Sequence, residues 1–349
     1  VVMAMMKTWV CQQPGELTWQ SRDIPKPQQH EVLIKVKTVG ICGTDIHAWR
    51  GKQPFFSYPR VLGHEICGTI VALGSQTDHW HVGQQIAVIP YVSCHECSAC
   101  RSGRENCCEN IAVIGVHRDG GFSEYLCVPE QNILLAEGIA PEAVALIEPF
   151  AISAHAVRRA AVKPGDAVLV VGAGPIGLGT AAIAAAEGAQ VVMVDTSPER
   201  RAHVAHQLAL PALDPLADDF LTQLRDSFGG DLAQTVIDAT GSAQSMNRAV
   251  ELIRHGGSIV FVGLFKGDLQ FSDPEFHKKE TTLLGSRNAT KADFARVGEL
   301  MQRGLLRADM LLTHRLHFDE LGSTYERDVI NNPRLIKGVI EFSENIAGA

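Results

Sequence analysis

The run VLVVGAGPIGLGTAAIAAAEGAQVVMVD, residues 168–195, constrains the fold more than any other stretch. It opens on an unbroken apolar segment, turns through Gly172, Gly174 and Gly177, continues as an alanine-rich stretch, and closes a second apolar segment with Asp195. An uninterrupted apolar strand is buried on both faces, which a parallel sheet with helical crossovers provides. The G-x-G-x-x-G spacing in that context has a physical logic. The first glycine permits a tight turn, the second lets the backbone approach a pyrophosphate, and the third lets helix pack on strand. The phosphates then sit at the helix N-terminus, beside Pro175 and Ile176. Asp195 is placed to accept hydrogen bonds from an adenosine ribose and to repel a 2′-phosphate, so NAD is expected over NADP, with Arg200 and Arg201 close behind.

The alternation continues through QTVIDATG, GSIVFVG and ETTLLGS, predicting an α/β, doubly wound parallel-sheet domain over residues 151–287. The first 150 residues have another texture. EVLIKVKTVGI (31–41), ICGTIVALG (66–74) and GQQIAVIP (83–90) read as short strands separated by turn signals, which suggests a small barrel-like β domain. A chain of 349 residues exceeds one ordinary domain, so two are expected. After residue 288 the βα rhythm fades, and LIKGVIEF looks like a further strand in a tail, 288–349, that rejoins the first domain.

A net charge of −8 argues against a sequence-independent nucleic-acid surface. No apolar run reaches the roughly 20 residues needed to span a bilayer. The N-terminal VVMAMMK lacks the basic region and cleavage site of a secretory leader and reads as the start of a buried strand. A cytoplasmic, reducing setting is therefore expected, where disulfides are rare. That matters because CHECSACRSGRENCC, residues 94–108, holds five of the nine cysteines. Cys94, Cys97, Cys100 and Cys108 can close a four-thiolate zinc site that leaves no position open for substrate. An iron–sulfur centre uses similar spacing. Cys107 is one thiol too many. A second set is dispersed: Cys42 in GICGTDIHAW, His64 and Glu65 in VLGHEICG, and Glu148 in LIEPF. Mixed sulfur, nitrogen and oxygen donors from distant segments suit a catalytic zinc.

GICGTDIHAW, GHE, the four-cysteine lobe (91–110), LIEPF and GAGPIG occur together and in order, and the chain resembles the zinc-dependent medium-chain dehydrogenases throughout. LIEP aligns it with their polyol and threonine dehydrogenase branch. The resemblance implies a GroES-like catalytic domain completed by the C-terminal segment, a Rossmann domain, and an active site in the cleft between them. It implies two zinc ions per chain. Cys42, His64, Glu65 and Glu148 would hold the catalytic one, with either glutamate as the direct ligand, and Cys94, Cys97, Cys100 and Cys108 the structural one. Gly172, Gly174, Gly177 and Asp195 would bind NAD, with Lys337 near the pyrophosphate. The implied activity is oxidation of a secondary hydroxyl of a small sugar acid, with a neutral polyol or L-threonine as the alternative substrate. A zinc-ribbon regulator or nucleic-acid binder is the alternative of another class. Relatives are commonly dimers or tetramers. Thr44 and His47 would pass the alcohol proton to solvent, and Asp45 would fix the far nitrogen of His64. Arg287 and His117, with Lys52 and Arg118, are candidates for the substrate carboxylate.

Overall fold

A computed structural model describes residues 4–54 and 56–343. Its contacts divide the chain into two units. One comprises residues 4–148, 298–302 and 312–343, and the other comprises Pro149–Val297 with Arg303–Leu311.

The first unit is built on a seven-stranded sheet. Its order is His314–His317, Gly338–Glu341, Glu31–Ile41, Glu65–Leu73, Gln85–Val88 and Ile133–Leu135, with Tyr125–Pro129 also paired to Glu31–Ile41. Glu31–Ile41 is the hub. It places Val32, Ile34, Val36 and, past an irregularity between Val36 and Thr38, Val39 in one core with Ile66, Ile70, Ile86, Val88 and Phe122. The C-terminal strand Gly338–Glu341 runs antiparallel to the hub and pairs Gly338 with Ile41. This register sets Lys337 beside Cys42. Residues 1–3 of the N-terminal run lie outside the described residues, and a strand runs over Met5–Gln13.

The second unit holds a six-stranded, all-parallel sheet. Its order is Ala212–Leu213, Gln190–Val194, Ala167–Val171, Ala233–Asp238, Ile253–Phe261 and Thr282–Gly285. Every residue of Ala167–Val171 is buried, as a central parallel strand requires. The two-residue strand Ala212–Leu213 carries too little pattern to be seen in sequence.

Residues 288–297 group with the second unit. Asp293 accepts hydrogen bonds from His155 at 2.8 Å and Arg158 at 3.0 Å, and Phe294 is fully buried, so residues up to Val297 stay with the parallel sheet. No helix among the described residues is long and apolar enough to cross a membrane.

Candidate functional site

Two groups of side chains bring metal donors together. In the first, the sulfurs of Cys94, Cys97, Cys100 and Cys108 all lie within 4.8 Å of one another. That spacing suits one tetrahedrally held ion, whereas a multi-iron cluster would spread its outer sulfurs further apart. Backbone amides are aimed at the sulfurs. Cys94 Sγ accepts from the N–H of Glu96 and Cys97, at 3.4 and 3.3 Å, and these bonds pull its thiol down to about 6. Amides of Cys100 and Glu109 lower Cys97 likewise, while burial pushes Cys100 up to about 12. Four thiolates cannot share so small a volume without a cation, and this lobe has the shape and donors for one. Cys107 stands outside the group.

The second group is Cys42, His64 and Glu65, with donor atoms again within 4.8 Å. Each is aimed by local structure. Cys42 caps the helix Gly43–Trp49, its N–H donating to Asp45 Oδ2 at 2.9 Å. Gly63 has φ +100°, and a Cβ there would meet the Phe122 ring at 2.6 Å, so only glycine can turn the chain to present His64. Glu65 pairs across the sheet with Gly40, and its Oε1 occupies the space a Cβ on Gly40 would need, 2.2 Å away. Glycine inside a strand signals such an approach, a cue the sequence carried and the motif reading passed over.

Around these donors the site is anionic and dry. His64, Glu65, Glu148 and Asp45 are 5, 1, 3 and 1 % exposed. His64 Nε2 lies 3.8 Å from Glu148 Oε2 and its Nδ1 4.0 Å from Asp45 Oδ1. Three of these atoms, Asp45 Oδ1, His64 Nδ1 and Glu148 Oε2, are buried without a hydrogen-bond partner among the described residues. Burial opposes protonation of His64, yet Cys42, Glu148 and Asp45 outweigh it and raise its proton affinity well above the ordinary value. Burial, and Glu65 beside it, raise Glu148. A pocket that draws a proton this strongly is built for a cation, so the donor set fits a zinc ion.

Lys337, which the resemblance placed near the pyrophosphate, is 2 % exposed and lies among these donors in the first unit. Its Nζ donates to both Glu65 oxygens, at 2.9 Å each, and to Ile41 O at 2.9 Å. Tyr91, absent from the sequence reading, donates its phenolic hydrogen to Glu148 Oε1 at 2.5 Å. Thr44 Oγ1 lies 3.8 Å from Cys42 Sγ, and His47 is exposed on the same short helix. Arg287 is exposed in the second unit, and Lys52 is exposed in the first. His117, also exposed, commits its Nδ1 to the N–H of Val113 at 2.9 Å.

Gly172 has φ +98°. A Cβ on Gly177 would lie 1.6 Å from Gly172 O, so helix and strand touch through bare backbone. Gly174 caps the helix Pro175–Ala186, and a Cβ there meets nothing within 4 Å, leaving open the space a ligand would use. Asp195 Oδ2 accepts from Ala173 N–H and Oδ1 from Ser197 N–H, both at 2.8 Å, which fixes its carboxylate at the strand end. The guanidinium groups of Arg200 and Arg201 donate to the carbonyls of Ala173 and Asp195.

A dinucleotide loop in one unit and a mixed-donor metal group in the other define a class, the metal-dependent, dinucleotide-linked oxidoreductases. The alcohol dehydrogenase GroES-like domain family matches residues 28–138, and the zinc-binding dehydrogenase family matches residues 175–303. The chain is 70 % identical, over 97 % of its length and all of the relative's, to the L-galactonate-5-dehydrogenase of Escherichia coli K12. A sorbitol dehydrogenase of Halalkalibacterium halodurans is 31 % identical, covering 89 % of this chain and 92 % of that protein. The crystal structure of an E. coli CFT073 alcohol dehydrogenase, RspB, complexed with NADH, superposes with a TM-score of 0.88 at 33 % identity. It covers 97 % of this chain and 99 % of that one. This protein belongs to the zinc-binding dehydrogenases with a GroES-like domain.

Proposed function

We propose that this protein is an NAD-dependent L-galactonate 5-dehydrogenase, oxidising the C5 hydroxyl of L-galactonate to give D-tagaturonate. The observation that carries the reading is the full-length 70 % identity to an enzyme of that name, in a chain whose Cys42, His64 and Glu65 donors converge. When bound, zinc supplies Lewis acidity toward an alcohol oxygen and NAD supplies the hydride acceptor.

The chain's own residues do the rest. Cys42 and His64, with Glu65 or Glu148 as the direct carboxylate, would hold the metal, and the Asp45 carboxylate, facing His64 Nδ1 at 4.0 Å, would bias the ring from behind. Thr44, on the short helix beside Cys42, would receive the alcohol proton by hydrogen bond while passing its own hydroxyl proton on, through the nicotinamide ribose when NAD is bound, toward exposed His47 and water. The Gly172–Gly177 turn and the helix N-terminus with Pro175 and Ile176 would seat the pyrophosphate, and Asp195 would accept hydrogen bonds from the adenosine ribose and disfavour a 2′-phosphate. Arg287 and His117 remain the candidates for pairing with the substrate carboxylate. A reducing cytoplasm is the expected setting. A dimer or tetramer is the expected assembly, and light scattering checks it.

NADH production from a panel of aldonates, neutral polyols and L-threonine tests the reading. Turnover should be greatest on L-galactonate. Preference for sorbitol or threonine would replace the substrate, and absence of any NAD-linked oxidation by zinc-loaded protein would overturn the reading.

A further inference from the structure

We propose that Tyr91 is a positioning residue that makes Glu148, through a single oxygen, the carboxylate offered to the metal group. The proposal rests on the reading that Cys42, His64 and the glutamates hold an ion, and it concerns how two buried glutamates beside that ion are given different roles.

The two carboxylates are tethered in opposite ways. Glu65 has both oxygens on the Lys337 ammonium, 2.9 Å each, in a pair that is almost fully buried. Glu148 has one oxygen engaged, Oε1, by the Tyr91 hydroxyl at 2.5 Å. Its Oε2 is buried, lacks a hydrogen-bond partner among the described residues, and lies 3.8 Å from His64 Nε2, on the side of the metal donors. A phenol carries one hydrogen and so marks one oxygen. The last torsion of a glutamate is broad and two-fold, so without that mark the oxygens of Glu148 exchange by rotation and neither is held toward His64.

Tyr91 is itself fixed. It is 8 % exposed, in the strand Tyr91–Val92 paired to Ala112–Val113. Buried Asn132 donates its amide to the carbonyls of Ile89 and Tyr91, at 3.0 and 2.9 Å. The backbone that aims the phenol is therefore tied on two sides, and a partner fixed in this way orients a ligand.

Tyr91→Phe removes the hydroxyl and keeps the ring. Zinc affinity of the full-length protein, read by competition with a chromophoric chelator, should show two ions per chain in the parent. In the variant the weaker-held ion should bind about 10- to 100-fold less tightly, with the four-cysteine site unchanged. Cobalt substituted at the weaker site should give a shifted visible spectrum. Glu148→Gln separates positioning from general loosening, because in that background Tyr91→Phe should have no further effect on affinity or spectrum. An affinity within twofold of the parent together with an unchanged cobalt spectrum would overturn the proposal. So would an equal weakening by Tyr91→Phe in the Glu148→Gln background. A parent that binds one zinc per chain would instead refute the underlying two-metal reading, so the two failures are distinguishable.

Discussion

Replacing Lys337 with Met probes the most deeply buried charge pair of the metal group. The ammonium is 3 % exposed, Glu65 is 1 % exposed, and both carboxylate oxygens accept from it at 2.9 Å. Methionine fills most of the volume, so the loss is electrostatic. In protein stripped of zinc, Glu65 is left ionised in a dry pocket beside Glu148, and its least costly escape is to take up a proton. An ordinary glutamate releases its proton near pH 4.3, so holding one protonated at pH 7 costs about 3.7 kcal/mol. The hydrogen bond to Ile41 O adds about 1 kcal/mol. The sum, about 4 to 5 kcal/mol, agrees with what breaking a buried pair costs, roughly 3–5 kcal/mol.

The sign of the pH dependence is distinctive. The variant's native state would bind one proton more than its unfolded state above about pH 4. Its stability should then fall by about 1.4 kcal/mol per pH unit more steeply than the parent's as pH rises toward 7, over and above the slope that His64 and Glu148 give both proteins. Urea titration of zinc-stripped parent and variant between pH 5 and about 7.5 measures this. Zinc should narrow the gap, because a cation then lies within reach of Glu65. A variant within about 1 kcal/mol of the parent at pH 7, or a difference independent of pH, would refute the reasoning.

Gly177→Ala places a methyl 1.6 Å from Gly172 O, so the helix must retreat. NADH fluorescence titration should show at least a tenfold loss of affinity, with about 1–3 kcal/mol of stability lost. Cys97→Ser should remove one of two zinc ions by metal analysis and make residues 94–108 sensitive to protease, because the lobe is held by its ion. Burial opposes ionisation of Asp293, but bonds from His155, Arg158 and Thr290 win and hold its carboxyl well below the usual range. Its contribution is present above the ordinary carboxylate value and lost as pH falls below about 4. Asp293→Asn should therefore cost about 2–3 kcal/mol at pH 7 and flatten the acid limb of a urea-midpoint profile; parallel limbs would contradict it. His47→Gln should lower turnover and move the pH–rate profile, and an unmoved profile would take His47 out of the proton path.

What could be seen in the sequence was what lies close along the chain. The four cysteine ligands fall within fifteen residues, and one loop suffices to gather them. The glycine turn, its helix and Asp195 form one βαβ unit, so periodicity and spacing place them together. Glu31–Ile41 was legible to the residue because its apolar, β-branched run sits between turn signals, although the strand is buried on both faces along much of its length. Cys42, His64 and Glu148 were nameable only by resemblance, since no periodicity links positions so far apart.

Tertiary structure decided how the gathered groups divide their work. Lys337 reaches Glu65 across 272 residues of sequence, through the pairing of Gly338 with Ile41. A shift of one residue in that register would send the side chain to the other face of the sheet. Tyr91 reaches Glu148 across 57 residues, from a two-residue strand too short to carry a pattern. Residue types set which atoms can bind a proton or an ion. Which of two glutamates is saturated by an ammonium, and which keeps a free oxygen, depends on packing among strands that meet only in the folded chain.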